Sequence, residues 1–271
     1  MVERYRCMGA HPAVSAAISS TADVQPLREQ YRQEMDCQIV HDSIHRRHGW
    51  TNTYRLAVDG ETAGFGSMAI GGPWTDKPTI FELFLLPAHR SRAFDLFEAL
   101  LTASGARFMT IQSSDALLSV MLHAYACDIR SEAIVFHDRL TTALPLMGAT
   151  LHCTMTEEQI CHCIEVRQGG PEWRLELDGH TVATGGILFH YNRPYGDVYM
   201  DVVEGHRRRG FGSYLVQELK RIAYELGSIP AARCNPQNIA SRKTLQKAGF
   251  VPCALILGGT IAPVEARAGV D

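Results

Sequence analysis

The six residues Arg207-Arg208-Arg209-Gly210-Phe211-Gly212 are the stretch of this chain best suited to hold an anion. An apolar run ending at Val202-Val203 leads into them through Glu204-Gly205-His206, and an amphipathic segment follows from Ser213 to Tyr224. A strand that turns through glycines into a helix gathers free backbone N–H groups and the positive end of the helix dipole at one point. The arginines add charge, and the glycines let the chain approach an oxyanion where a Cβ would stand in the way. This arrangement suits a pyrophosphate; a basic helix cap without a ligand is the plainer alternative.

A second segment lies about twenty-five residues on. Asn235-Pro236-Gln237-Asn238-Ile239-Ala240-Ser241 precedes Lys243-Thr244-Leu245-Gln246-Lys247-Ala248-Gly249-Phe250. Asn238 is suited to cap a helix there, and Gly249 to end it in the left-handed conformation. The two segments together resemble the GCN5-related N-acetyltransferases (GNAT), whose acetyl-CoA signature is [Arg/Gln]-x-x-Gly-x-[Gly/Ala]. In that family an Asn-x-x-Ser/Ala segment then opens a helix closed by Gly-Phe.

The chain is also a repeat. Tyr54-Arg55-Leu56-Ala57-Val58-Asp59-Gly60-Glu61-Thr62 recurs 119 residues later as Trp173-Arg174-Leu175-Glu176-Leu177-Asp178-Gly179-His180-Thr181. Each copy reads as strand, Asp-Gly turn, strand. The arginine–glycine turn has a twin as well, Arg90-Ser91-Arg92-Ala93-Phe94-Asp95, 117 residues before it. There Ala93 stands for Gly210 and Asp95 for Gly212, adding a Cβ and a carboxylate where phosphate oxygens would come close.

The resemblance therefore implies an α/β (α+β) fold of two tandem GNAT-like domains. Each would be a mixed, mostly antiparallel sheet splayed between its fourth and fifth strands, with helices on both faces. Residues 1–145 would form a degenerate, scaffolding domain and 146–271 the domain with the acetyl-CoA site. The first should open with helices over Val24 to Cys37 and Ile39 to His48, and the second, with less room, should borrow surface from the first. By resemblance the splay lies between Asp197 to Val203 and Ile229 to Cys234. Main-chain groups at Val202 and Val203 would meet pantetheine, and Arg207, Arg208, Arg209, Gly210, Phe211, Gly212 and Ser213 the pyrophosphate, with Asn238 and Ser241 nearby. Lys243 and Arg242 are further phosphate candidates, though solvated helix faces carry such charges routinely.

The implied reaction is attack of a neutral amine on the acetyl thioester, which needs a base, an oxyanion contact and a proton donor for the thiolate. The family's usual donor is a tyrosine seven residues after the asparagine matched by Asn238, and Leu245 occupies that position. A glutamate that serves some members as base is matched here by Arg233. Asp197, Asp201 and Cys234 are the catalytic candidates that remain, with Tyr195 and Tyr199 as possible proton donors and His190 and Tyr191 shaping an acceptor pocket. A CoA-binding pseudoenzyme or sensor is the alternative. The acceptor would be a small-molecule or peptide amine, and the protein a monomer that mimics a dimer, or a homodimer.

Composition bounds the rest. The 271 residues are 46% hydrophobic and 20% charged with a formal net charge of −3, which describes a globular protein and argues against nucleic acid as a partner. No stretch of about eighteen uncharged apolar residues is present, so no membrane role is expected; a cytoplasmic location and eight reduced cysteines are. Metal is not expected either, since Cys161-His162-Cys163 lacks zinc spacing and Ile160 to Val166 alternates like a half-buried strand. His41, His45 and His48 share helical spacing and are expected on a solvated face.

Overall fold

The computed structural model describes residues 13–262. The first half runs β1 (Val14–Ser19), α1 (Gln25–Met35), α2 (His41–His45), β2 (Thr51–Val58), β3 (Glu61–Ala69), β4 (Thr79–Leu85), α3 (Ala93–Ser104), β5 (Phe108–Gln112), α4 (Ala116–Tyr125) and β6 (Ala126–Asp138). The second repeats that order with one helix fewer: β7 (Ala149–Cys153), α5 (Glu157–Val166), β8 (Glu172–Leu177), β9 (His180–Leu188), β10 (Tyr195–Val202), α6 (Phe211–Glu225), β11 (Ile229–Cys234), α7 (Ile239–Lys247) and β12 (Phe250–Ile261).

Both Asp-Gly pairs make the expected hairpins. Asp59 and Gly60, and likewise Asp178 and Gly179, have positive φ, as a two-residue turn matched to the twist of its strands requires. Both hairpins also carry a register shift at equivalent places, Leu56/Ala57 and Leu175/Glu176. A duplicated irregularity of this kind marks the two halves as copies in structure as well as in sequence.

All twelve strands join one sheet, in the order β1-β2-β3-β4-β5-β12-β6-β11-β10-β9-β8-β7. The last strand of each half lies on the sheet of the other: β12 pairs with β5, and β6 with β11. The two exchanged strands pair with each other in the middle. Each delivers a side chain to the opposite core, Leu257 to the first and Phe136 to the second. Lys220 on α6 anchors the end of β6. It reaches Asp138 Oδ1 at 2.6 Å and donates to the carbonyls of Leu140 (2.8 Å) and Ala248 (2.6 Å).

Two expectations are corrected. Residues 160–166 form α5 rather than a strand, because Thr156 and Gln159 build a reciprocal capping box at its start. Ile160, Cys163 and Ile164 fit helical spacing as well as they fit alternation. His41 and His45 are not solvated: Glu82 of β4 lies between them, 3.0 Å from His41 Nδ1 and 2.7 Å from His45 Nε2, with Arg28 at 3.5 Å. Burial alone would push the Glu82 carboxyl up, but the two imidazoles beside it hold it well below the usual carboxylate range.

Candidate active site

The parallel pair β10–β11 is hydrogen-bonded in register only from Tyr195↔Ile229 to Asp197↔Ala231. Beyond it the strands part, β10 staying with β9 and β11 turning to β6. Val203 N–H donates to Val182 O on the β9 side (3.1 Å), so strand alternation turns the main-chain groups of Met200 and Val202 towards the gap. The carbonyl of Val202 accepts from Arg207 Nε at 3.1 Å, which pins the turn to the strand end.

From there the chain enters α6 through Arg208 (φ 61°) and Gly210 (φ 92°), and no side chain caps the helix. Its first-turn N–H groups therefore face the gap uncapped. A Cβ at Gly212 would lie 3.1 Å from Val202 Cγ2 and 3.3 Å from Thr244 Cγ2, so the helix start, strand and α7 approach one another across this glycine. Together they line a cleft of about 670 Å³ that takes in Asp201, Val202, Arg207, Arg208, Gly210, Phe211, Gly212, Ser213, Asn238 and Ser241. Three of the cofactor candidates stand outside it, Arg209, Val203 and Arg242. Arg209 stacks over Phe211 (5.1 Å) and meets His206 Nδ1 at 3.3 Å, while the Val203 side chain is exposed. Asn238 also caps α7, its Oδ1 accepting from Ser241 N–H at 2.9 Å.

The first half supplies a comparison. Arg90 Nε donates to Leu85 O at 3.0 Å, as Arg207 does to Val202 O, and Leu86 N–H donates to Ala63 O as Val203 does to Val182 O. Here, however, Asp95 sits in the first turn of α3 with its carboxylate 2.6 Å from Arg92 Nε, a built-in anion at the helix start. Strand β4 is buried along its whole length, whereas β10 is buried only as far as Val198. The covering helix differs accordingly: α4 buries Leu118, Met121, Leu122 and Tyr125, and α7 only Leu245.

A second cavity, of about 610 Å³, lies where the halves meet. The first half contributes His41, Arg47, Trp74 and Phe81, and the second His190, Tyr191, Arg233, Cys234 and Asn235. The N-terminal helices are docked here by cross-half bonds, among them Asn192 N–H to Ile39 O (2.6 Å) and Tyr195 Oη to Asp36 O (3.0 Å). Cys234 joins the two cavities, since it lines this one and lies beside Ser241 of the glycine-turn cleft. Burial pushes its thiol up, although Ser241 works in the opposite direction.

The remaining candidates divide clearly. Asp197 is buried and pairs with His190 Nε2 at 3.0 Å and Arg233 Nε at 3.5 Å. Asp201 is exposed on the wall of the glycine-turn cleft. Tyr195 and Tyr199 commit their hydroxyl protons to Asp36 O and Glu172 Oε2, and burial pushes both phenols up to about 12. Leu245 is a core residue. Among the described residues no group of three or more His, Cys, Asp or Glu side chains is arranged to hold a metal ion. The contributions of His41, Arg47, Trp74 and Phe81 have no signal in the sequence, because only the docking of the halves brings them here.

Comparison with known proteins agrees with this geometry. Residues 142–250 match the acetyltransferase (GNAT) family model. A GNAT-family acetyltransferase of Colwellia psychrerythraea superposes with a TM-score of 0.68 at 14% identity, over 92% of this chain and 100% of that one. A tandem GNAT protein from the clavulanic acid biosynthesis pathway gives 0.57 at 14% identity over 93% and 99%, and a GCN5-related N-acetyltransferase of Sphaerobacter thermophilus gives 0.54 at 15% over 92% and 96%. No curated protein sequence matches. Residues 142–250 thus carry a GNAT acetyltransferase domain, and the fold of the chain as a whole is that of tandem GNAT proteins.

Proposed function

We propose that the protein is an N-acetyltransferase that takes acetyl-CoA in the cleft of its second half and an amine acceptor in the cavity between the halves. The observation that carries this reading is the uncapped start of α6 opening onto the β10–β11 gap, a cradle that a Cβ at Gly212 would fill. Arg207, Arg208 and the N–H groups of Phe211 to Ser213 would meet a pyrophosphate, and Met200 and Val202 the pantetheine amides. Lys243 and Lys247 stand on the same cleft for further phosphate oxygens. Bound there, acetyl-CoA would supply the acetyl group as an activated thioester.

Proton handling falls to the Asp197–His190 pair. Asp197 accepts from His190 Nε2–H and fixes that tautomer, which leaves Nδ1 as the lone-pair nitrogen able to take a proton from an acceptor ammonium. Asp201 is the alternative base, acting through water. With Leu245 packed in the core and the Tyr195 and Tyr199 hydroxyls committed, solvent entering the open cleft is the proton source for the departing thiolate. The same observation favours a second reading, an acetyl-CoA-binding sensor without efficient turnover. Release of CoA thiol from acetyl-CoA across a panel of amines tests the two: turnover with any amine supports the transferase, and tight binding without turnover supports the sensor.

A further inference from the structure

We infer that the acceptor carries an acidic group beside its amine, and that Arg233 is the cation that recognises it; this rests on the transferase reading above. An acceptor amine arrives as a cation, so a site built for polyamines or aminoglycosides needs exposed carboxylates. The cavity between the halves offers the opposite balance. Its lining holds one carboxylate, Glu132, which is exposed; with His41 facing Glu82 and Arg233 paired on one edge with Asp197, Arg47 and the outer edge of Arg233 are the cationic surface it presents.

The two buried carboxylates nearby are already neutralised within the protein. Glu82 is held by His41, His45 and Arg28, and Asp197 by His190 and Arg233. Neither has charge to spare for a polycation. Arg233 lies at the end of β11, next to Cys234, where the two cavities meet. Its Nε is 3.5 Å from Asp197 and its Nη2 3.4 Å from His190, with the guanidinium 5.7 Å over the Tyr191 ring. The Asp197 pair and the Tyr191 ring orient the guanidinium, and Nη1 has no partner among the described residues. A fixed guanidinium favours a planar carboxylate, and the carboxylate so held would keep the amine next to His190. Trp74, Phe81 and Tyr191 leave room for an apolar or aromatic body, so an aromatic α-amino acid fits the chemistry best.

The test uses the full chain with three probes that share or lack the acid: L-phenylalanine, phenethylamine and spermidine, with O-phosphoethanolamine as the phosphate arm. Calorimetric binding in the presence of CoA is measured alongside thiol release. L-phenylalanine is expected to bind at least about tenfold more tightly than phenethylamine, and spermidine not at all. Arg233→Gln should raise the L-phenylalanine Kd or KM at least about tenfold with acetyl-CoA affinity unchanged, and Arg233→Lys should recover part of the loss. A preference for O-phosphoethanolamine would keep the acidic-amine inference and name phosphate as the group. Equal binding of phenylalanine and phenethylamine, preference for spermidine, or indifference to Arg233→Gln in a variant that still binds acetyl-CoA would overturn it. Acid-selective binding with no thiol release would instead remove the transferase reading and leave the recognition intact.

Discussion

Three replacements separate the arginine–glycine turn from its twin: Arg208 against Ser91, Gly210 against Ala93, and Gly212 against Asp95. Gly210 has φ 92° and no atom lies within 4 Å of the place a Cβ would take, so a side chain there meets open space yet strains the backbone. Gly210→Asp sets a carboxylate beside the helix start, two residues before the position that Asp95 takes in the twin, and acetyl-CoA affinity is expected to fall by at least about tenfold, roughly 1.4 kcal/mol, by isothermal calorimetry. The turn is legible in the sequence because its residues are contiguous and their roles follow from backbone geometry. The Glu82 cluster is not, because its carboxylate comes from β4, about forty residues from the histidines. Its consequence is a pH dependence. Glu82 has a folded pKa well below the ordinary 4.5, so its stabilisation is complete above about pH 4.5 and lost as pH falls further towards the folded value. In Glu82→Gln the melting temperature should be lower at neutral pH and decline less steeply below pH 4.5; an acid limb as steep as that of the unchanged protein would contradict this.

At the scale of elements, capping and turn chemistry decide what can be read. The Asp-Gly hairpins, the Asn238 cap and the left-handed Gly249 follow from local sequence and appear as expected. Strands β10 and β11 likewise fall within a residue or two of their expected limits. Helix α5 escapes a reading by alternation alone, although Thr156, the acidic pair after it and Gln159 carry the capping signal. Strand β6 is anchored by a long-range pair that no local pattern announces. Removing the ammonium in Lys220→Ala takes the cation from the largely buried Asp138 side chain, which keeps the Tyr224 hydroxyl as a donor, and is expected to cost about 3 kcal/mol in urea unfolding, while an exposed change such as Lys243→Ala should cost little.

For the whole molecule, the repeat predicts two similar halves, and the strand exchange makes their stabilities interdependent. Local sequence does not say which sheet β6 and β12 join, because that choice rests on contacts between residues far apart in the chain, from 94 between His137 and Ala231 upwards. A chain ended after Gly249 lacks β12, which pairs with β5 from Phe108 to Gln112. Its amides at Met109 and Ile111, far from the deletion in sequence, are expected to lose hydrogen-exchange protection, and a peptide spanning residues 250–262 should restore it. Unchanged protection would show that the first half holds its sheet without the exchanged strand.

The exchange also gives the first half a structural role: it supplies β6 to the second sheet and one wall of the cavity where the acceptor is proposed to sit. The division of labour between the halves is tested most directly by the stoichiometry of acetyl-CoA binding to the full chain, measured by calorimetry for the unchanged protein and for Gly210→Asp. One acetyl-CoA per chain, lost in Gly210→Asp, is the expected result. Two per chain, or binding that survives Gly210→Asp undiminished, would contradict it.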